Sequence, residues 1–209
     1  MSTIQLNDSD ALLVIDMQYD FLPGGSLGVP HGDEVLGPVN RLMALFAGRG
    51  LPVYASRDWH PANHVSFAER GGPWPPHCVA DTHGAAFSQE LKLPANTVII
   101  SKADTADVDA YSAFNGTALA DHLRQHGVTR VVACGLATDY CVLNTVIDAR
   151  ENGFDVIIVP EAMRAVEVSA GDGERAIARM TGLGAKLVGL DAFDGVDATA
   201  AAQALPSAA

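Results

Sequence analysis

The chain has 209 residues, of which 48% are hydrophobic and 18% are charged, and its formal net charge is −12. This length and composition are those of one globular domain with a well-buried core. The negative charge argues against a nucleic-acid partner, because affinity for a phosphate backbone depends on lysine and arginine side chains.

Short apolar runs that alternate with segments of helical periodicity predict six β-strands. Their apolar residues are nearly continuous, which is typical of parallel strands that are buried on both faces of a sheet. In chain order, the predicted strands end at Asp16, Asp58, Lys102, Gly135, Pro160 and Leu190.

Four helical segments lie between these strands and are delimited by acidic, serine or threonine residues at the start and by glycine at the end. The alternation predicts an α/β fold, namely a three-layer α/β/α sandwich with a mostly parallel six-stranded sheet. We expect one domain over residues 1–209, whose alanine-rich end at about 191–209 forms a loosely ordered tail. The helical segments are "DEVLGPVNRLMALFAGRG", "TALADHLRQHG", "TDYCVLNTVIDARENG" and "GDGERAIARMTGLG".

Reactive side chains follow several of the predicted strands. Asp16, Asp58 and Lys102 end the first three strands, and Cys141 comes shortly after the fourth. Ligands of open α/β sheets bind outside the carboxyl ends of the strands. We therefore expect these four side chains to lie at one edge of the sheet.

Cys141 lies in "GLATDYCV", in the first turn of a predicted helix that Thr138 or Asp139 would cap. Unpaired backbone N–H groups and the positive end of the helix dipole favour a reactive thiolate at this position. The alternative is a small buried hydrophobic residue, which is how most free cysteines behave. We interpret the other two cysteines, Cys78 and Cys134, as structural.

Asp16 and Lys102 supply a carboxylate and an ammonium group of opposite charge near this cysteine. A carboxylate that ends an unbroken apolar run is partly desolvated, which raises its pKa towards base chemistry. Each residue also has an ordinary interpretation, as an exposed strand-end aspartate and a solvated lysine. Beside Cys141 they would instead complete a set in which a thiolate attacks, the acid carries the proton and the lysine offsets negative charge.

The connection between Asp58 and Thr97 is rich in proline, glycine and histidine and shows no clear period. A long connection of this kind in a compact domain is usually functional or disordered. Asp58 and His60 are two residues apart and would face the same side of an extended segment, and His64 and His77 follow. A carboxylate with imidazoles suits zinc, iron or manganese, and a polar loop with surface histidines is the alternative.

Three sequence features bear on the cellular compartment of the protein. The N-terminal residues lack the pattern of a signal peptide, and the apolar runs are too short to cross a bilayer. Three cysteines do not make a disulfide framework, which favours a reducing environment. We expect a cytoplasmic protein without a membrane partner.

Five stretches carry a resemblance to a known family. The sequence resembles the nicotinamidases, which deamidate nicotinamide and belong to the isochorismatase-like cysteine hydrolase superfamily. The resemblance extends from the first predicted strand to the last predicted helix. Its carriers are "LLVIDMQYDFLPGGSL", "SRDWHPANHVSFA", "WPPHCV", "SKADTADVDAYSAF" and "GLATDYCVLNTVIDA".

The resemblance implies roles for individual residues. It implies a catalytic triad of Asp16, Lys102 and Cys141, and a cis peptide at Ala137, whose N–H and that of Cys141 would form an oxyanion hole. It implies flanking of the substrate ring by Phe21 and Trp74. It implies one divalent metal ion, with zinc preferred over iron or manganese, held by Asp58, His60 and His77. The spacing in "HPANH" resembles members in which the residue at the position of His64 is not a ligand.

The implied reaction is hydrolysis of nicotinamide, and of pyrazinamide, through a cysteine thioester, in the salvage of NAD and without an organic cofactor. The resemblance also implies a homo-oligomer. Two alternatives remain open from the residues. One is another hydrolase of the superfamily, such as an N-carbamoyl amidase or an isochorismatase, and the other is a non-catalytic metal- or ligand-binding α/β module.

Overall fold

The computed structural model describes residues 3–196, which form one sheet of six strands with helices on both of its faces. Every strand pairs in parallel with its neighbours, in the order β3-β2-β1-β4-β5-β6. This arrangement confirms the predicted α/β fold. The strands are β1 (Asp10–Ile15), β2 (Val53–Asp58), β3 (Val98–Lys102), β4 (Arg130–Leu136), β5 (Asp155–Arg164) and β6 (Lys186–Leu187).

The helices divide between the two faces because the side chains of β1 alternate. Leu12 and Val14 of β1 belong to the core that packs against the first helix, whereas Leu13 and Ile15 belong to the core under the other three. Both faces of the strand are therefore buried, which explains its continuous apolar run. The helices are α1 (Leu36–Gly48), α2 (Leu119–Gln125), α3 (Leu143–Glu151) and α4 (Asp172–Gly182).

The strand order reverses between β1 and β4, since β2 and β3 extend the sheet on one side and β5 and β6 on the other. Such a reversal opens a crevice at the carboxyl ends of the two central strands, where α/β proteins bind ligands. Asp16 follows β1 directly, and the segment with Cys141 follows β4. The topology thus brings these two residues to the crevice.

Some element boundaries differ from the predicted ones. β5 continues past Pro160 to Arg164, because the pairing with β4 shifts register between Ala133 and Gly135 and accommodates a residue without an N–H donor. β6 is only two residues long. α1 begins at Leu36, after a 3-10 turn over Gly32–Val35.

The predicted tail is packed at its beginning. Phe193 and Val196 are buried, and Phe193 forms a parallel bridge with Ile4. The remaining residues of that predicted tail, 197–209, lie outside the described part of the chain. Within residues 3–196, every helix is too short or too polar to cross a membrane.

Candidate active site

Asp16, Lys102 and Cys141 meet at the carboxyl edge of the sheet. Nζ of Lys102 lies 3.0 Å from a carboxylate oxygen of Asp16 and 3.6 Å from Sγ of Cys141. The three residues are 0%, 1% and 6% exposed, respectively. A buried lysine with two such neighbours is not the solvated surface residue that its position alone would suggest.

Asp16 is held where β1 ends. Its φ is 49°, a left-handed conformation that costs energy for a residue other than glycine and persists only where its surroundings enforce it. The backbone N–H donates to the carbonyl of Ser56 at 3.1 Å, and Oγ of Ser56 donates to the Asp16 carboxylate at 2.6 Å. Ser56 thus grips both the backbone and the side chain of Asp16.

Lys102 is placed by the register of the sheet. Asp58 and Lys102 are direct partners across β2 and β3, so their side chains emerge side by side. Nζ of Lys102 donates to Oδ1 of Asp58 at 2.5 Å and to the carbonyl of Ala110 at 3.2 Å. The ammonium group therefore connects Asp16 to Asp58, the residue that the sequence assigned to a metal.

Cys141 lies in a π-helical turn over Thr138–Val142, which leads into α3. Single π turns within helices occur frequently at functional sites. The expected cap is wrong, because the residue before the turn is Ala137 and the carboxylate of Asp139 accepts the N–H groups of Val166 and Glu167. The peptide bond between Leu136 and Ala137 is cis, at the position that the resemblance indicated.

The charges of the three residues follow from burial. Burial raises the pKa of the Cys141 thiol well above its ordinary value; Lys102 opposes this rise, and the carboxylates of Asp16 and Asp58 add to it. Burial likewise raises the pKa of Asp16, against the effect of Lys102. Burial alone would lower the pKa of Lys102, but the two carboxylates raise it well above its ordinary value.

These directions oppose the effect of the helix start, which by itself favours a thiolate. Burial and the two nearby carboxylates favour the protonated thiol, whereas the ammonium group favours the thiolate. A carboxylate oxygen of Asp16 lies within 4.8 Å of Sγ. Asp16 is accordingly the group that can receive the thiol proton when the sulfur attacks.

Asp58, His60 and His77 form a second group beside the first, with one ligand atom from each within 4.8 Å of the others. Nδ1–H of His60 donates to the carbonyl of His77 at 2.9 Å, and Nδ1–H of His77 donates to the carbonyl of Pro75 at 2.8 Å. Both rings therefore keep Nε2 as an acceptor. Burial lowers the pKa of His60 to about 3, so this ring is neutral at pH 7.

His64 stacks on His60, with ring centroids 4.3 Å apart, but its environment differs. Its Nδ1 lies 2.7 Å from Oγ of Ser66, and its Nε2 lies 3.1 Å from the carbonyl of Val108. Both ring nitrogens are engaged by the protein. His64 also lies near His60 and Asp109, with one ligand atom from each within 4.8 Å of the others, but a metal there would have to displace one of its two hydrogen bonds.

A cavity opens in front of Cys141, and Asp58 and His77 of the second group also line it. Phe21 and Trp74, which the resemblance assigned to the substrate ring, both line it. The indole N–H of Trp74 donates to the hydroxyl of Tyr111 at 2.9 Å, and its ring meets that of Tyr140 edge to face at 5.3 Å. The apolar part of the wall is completed by Leu27, Val29, Ala137 and Val166.

Four polar residues of this region did not emerge from the sequence. Ser56 contacts Asp16, and Gln18 contacts Asp58. Tyr111 and Tyr140 both contact Trp74. Ser56 could have been found, because it lies two residues before Asp58 and so faces the same side of β2. Tyr111 reaches Trp74 across 37 residues of chain, and no local pattern indicates such a contact.

The fold and the site define an α/β protein with a buried acid, lysine and cysteine at its strand switch point. An isochorismatase domain matches residues 10–192. The chain belongs to the isochorismatase family.

Relatives of known sequence and structure narrow the comparison. The nicotinamidase of Escherichia coli (strain K12) is 40% identical over 198 residues, which cover 85% of this chain and 93% of that protein. The structure of a pyrazinamidase of Pyrococcus horikoshii in complex with zinc superposes with a TM-score of 0.84 at 49% identity, covering 87% of this chain and 99% of that one. The structure of PnC1 from L. infantum in complex with nicotinate has a TM-score of 0.85 at 37% identity, covering 91% and 98%.

Proposed function

We propose that this chain is a nicotinamidase, which hydrolyses nicotinamide to nicotinic acid and ammonia and also deamidates pyrazinamide. The observation that carries the proposal is the buried set of Asp16, Lys102 and Cys141 at a cavity lined by apolar and aromatic residues. The relatives named as nicotinamidase and pyrazinamidase support the choice of substrate. The alternative, a non-catalytic metal- or ligand-binding module, does not explain why a lysine is buried beside two carboxylates and a thiol.

A divalent metal ion would be held by Asp58, His60 and His77. The donor chemistry fits, because each histidine gives Nδ1–H to a backbone carbonyl and keeps Nε2 available, as metal-binding histidines do. We propose zinc, with iron or manganese as alternatives, and no organic cofactor. When bound, the metal supplies a Lewis acid that can ligate the pyridine nitrogen and orient the substrate.

The first half of the proposed reaction forms a thioester. Asp16 accepts the proton of the Cys141 thiol, and Sγ bonds to the carboxamide carbon. The carbonyl oxygen becomes an oxyanion that the N–H groups of Ala137 and Cys141 stabilise, where one such donor contributes about 3 kcal/mol. Asp16 then donates its proton to the amide nitrogen, and the C–N bond breaks to release ammonia. Lys102 stays charged throughout and offsets the negative charge.

The second half hydrolyses the thioester. Asp16, again ionised, accepts a proton from water as the water oxygen bonds to the thioester carbon. The C–S bond breaks, and Asp16 returns the proton to Sγ of Cys141. Nicotinic acid leaves the cavity, whose aromatic residues Phe21 and Trp74 would flank its ring.

Ammonia release from nicotinamide and pyrazinamide tests the activity. We expect turnover by the zinc-loaded protein and none by Cys141→Ala, with Cys134→Ala as the matched control because that buried thiol lies inside β4, where its Sγ contacts the carbonyl of Leu13. Undiminished activity of Cys141→Ala would contradict the assignment of the catalytic triad. Absence of activity on both amides would contradict the assignment of nicotinamide and pyrazinamide as substrates.

The metal group has a separate test, in which zinc content is measured after dialysis of Asp58→Ala. We expect lost zinc and a raised KM, because a carboxylate ligand is gone. Full zinc stoichiometry in this variant would overturn the assignment of Asp58.

The wider setting is part of the same proposal. We propose that the protein acts in the cytoplasm in NAD salvage, as a single domain that assembles into a homo-oligomer. Sedimentation equilibrium of the purified chain tests the assembly, and a mass equal to that of one chain at micromolar concentration would contradict it.

A further inference from the structure

Gln18 is a buried side chain that the proposed reaction does not use. It is 0% exposed and lies two residues beyond Asp16. Its Oε1 accepts the backbone N–H of Asp58 at 2.8 Å, and its Nε2 donates to the carbonyl of Asp58 at 2.8 Å and to that of Ala85 at 2.9 Å. The partners determine the orientation of the amide, because an N–H can only donate and a carbonyl can only accept.

The need for these bonds follows from the way β1 ends. The pairing of β1 with β2 runs as far as Ile15 and Ser56, and Asp16 then turns away with a φ of 49°. β2 continues for two more residues, to Asp58. Asp58 is paired with β3 on one side, and β1 has already ended on the other. The N–H and C=O of Asp58 towards β1 are buried and would lack partners if no side chain supplied them.

The Gln18 amide has the donor and the acceptor of a peptide group. It binds both backbone groups of Asp58, as a residue of β1 would have done had that strand continued. Its second N–H ties the arrangement to Ala85, and an antiparallel bridge between Gln18 and Phe87 holds the same loop. One side chain therefore anchors the backbone of Asp58 to two other segments.

We propose that Gln18 is a positioning residue, which replaces the missing strand partner of Asp58 and so aims the Asp58 carboxylate at the metal group. This inference rests on the proposed function, since it takes Asp58 as a metal ligand. One oxygen of the Asp58 carboxylate, Oδ1, lies 2.5 Å from Nζ of Lys102 and 3.9 Å from Nε2 of His60. A rotation of the Asp58 backbone would disturb both contacts.

Zinc affinity of Gln18→Met, measured by competition with a chromogenic chelator, tests the proposal. Methionine fills a similar volume and makes none of the three hydrogen bonds. We expect zinc to bind about 10- to 100-fold more weakly, the loss typical of removing a group that orients a metal ligand. If Gln18→Met does not fold, Gln18→Asn, which withdraws the amide by one methylene, is measured in the same way with the same expected direction.

Asp10→Asn is the matched control. Asp10 is also 0% exposed and hydrogen-bonded, but it lies at the opposite end of β1, about 20 Å from Asp16 at the usual rise of a strand. We expect this variant to lose stability and keep its zinc affinity. Equal losses of zinc affinity in both variants would show a general effect of destabilisation and overturn the proposal.

Hydrogen exchange at the Asp58 amide supplies a readout that needs no metal. We expect exchange in metal-free Gln18→Met to rise by more than the change in global stability explains, because that N–H loses its acceptor, and any rise in Asp10→Asn to match its loss of global stability. Unchanged exchange, or unchanged zinc affinity in Gln18→Met, would overturn the inference alone. A wild-type protein that binds no zinc would overturn the proposed metal site and the inference with it, so the two failures are distinguishable.

Discussion

The two ends of strand β1 each carry a buried aspartate that is paired with a cation, and the two pairs behave differently. At the start, Asp10 accepts two hydrogen bonds from Arg130 at 2.6 and 2.7 Å and a third from the N–H of Asn7 at 2.7 Å. At the other end, Asp16 shares one lysine with Asp58, a carbonyl and a thiol. Both acids have the same chemistry and nearly the same burial.

The difference lies in how many hydrogen bonds each carboxylate accepts; we call a carboxylate saturated when both of its oxygens have hydrogen-bond donors. Asp10 has a bidentate arginine, whose two charge-assisted hydrogen bonds fix the orientation of the carboxylate. One Asp16 oxygen has only the shared lysine at 3.0 Å, and burial raises the pKa of that carboxyl. A saturated pair stabilises the fold, whereas an incompletely saturated pair beside a cavity can move a proton.

The largest expected effect is that of Asp16→Asn on catalysis. The amide keeps the shape of the side chain but cannot accept the thiol proton, so we expect kcat to fall by about 10²- to 10⁴-fold. Steady-state ammonia release measures this, and urea unfolding of the same sample should show little loss of stability. If Asp16→Asn keeps the kcat of the wild type, then Asp16 does not carry the proton and does not differ in role from Asp10.

His60→Ala extends the comparison to two stacked histidines, of which His60 keeps a free Nε2 and His64 does not. We expect zinc affinity to fall by more than the roughly 10- to 100-fold that follows loss of a merely orienting group, because a ligand itself is removed. Chelator competition measures the affinity. Zinc binding at the wild-type level would show that the availability of Nε2 does not identify the ligands.

Asp10→Asn should have the opposite signature to Asp16→Asn. Breaking a buried ion pair usually costs about 3–5 kcal/mol, and we expect about 2–3 kcal/mol here because the Arg130 side chain is 25% exposed and can recover solvation. The free energy of unfolding in urea measures the loss. The kcat for nicotinamide should stay that of the wild type, and a fall comparable with that of Asp16→Asn would contradict the division of roles.

His64→Gln should have the smallest effect. Both ring nitrogens bind protein groups, so we expect a loss of about 1–2 kcal/mol in the free energy of unfolding and full zinc stoichiometry. Zinc content after dialysis, together with thermal unfolding, measures the two quantities. Loss of zinc with little change in stability would make His64 a ligand and reverse the comparison with His60.

The fold was predictable to the level of layers and strand direction. Continuous apolar runs such as that of β1 record burial on both faces, and this pattern is local in sequence. The end of β5 was not predictable, because its continuation past Pro160 depends on a register shift against β4. The π turn at Cys141 was hidden for a similar reason, since its sequence is compatible with an ordinary helix start.

The candidate site was predictable where a residue type coincides with a strand end. Asp16, Asp58 and Lys102 were indicated in this way, and the resemblance added His77 from a loop without local structure. The tertiary structure brings all of them within a few ångströms of Cys141 or of one another. The sequence left open whether His64 joins the metal group, and its two hydrogen bonds provide the geometric argument against it.

The sequence by itself determined the alternation of strands and helices and the set of reactive residues at one edge of the sheet, because both depend on hydrophobic periodicity and strand ends. Only the tertiary structure decided which of those groups are charged and which are saturated. Burial raises the pKa of the Cys141 thiol, and Gln18 completes the end of a strand, because segments distant in the chain close over them. Burial and hydrogen-bond satisfaction are sums over all neighbours, and no short stretch of sequence contains those sums.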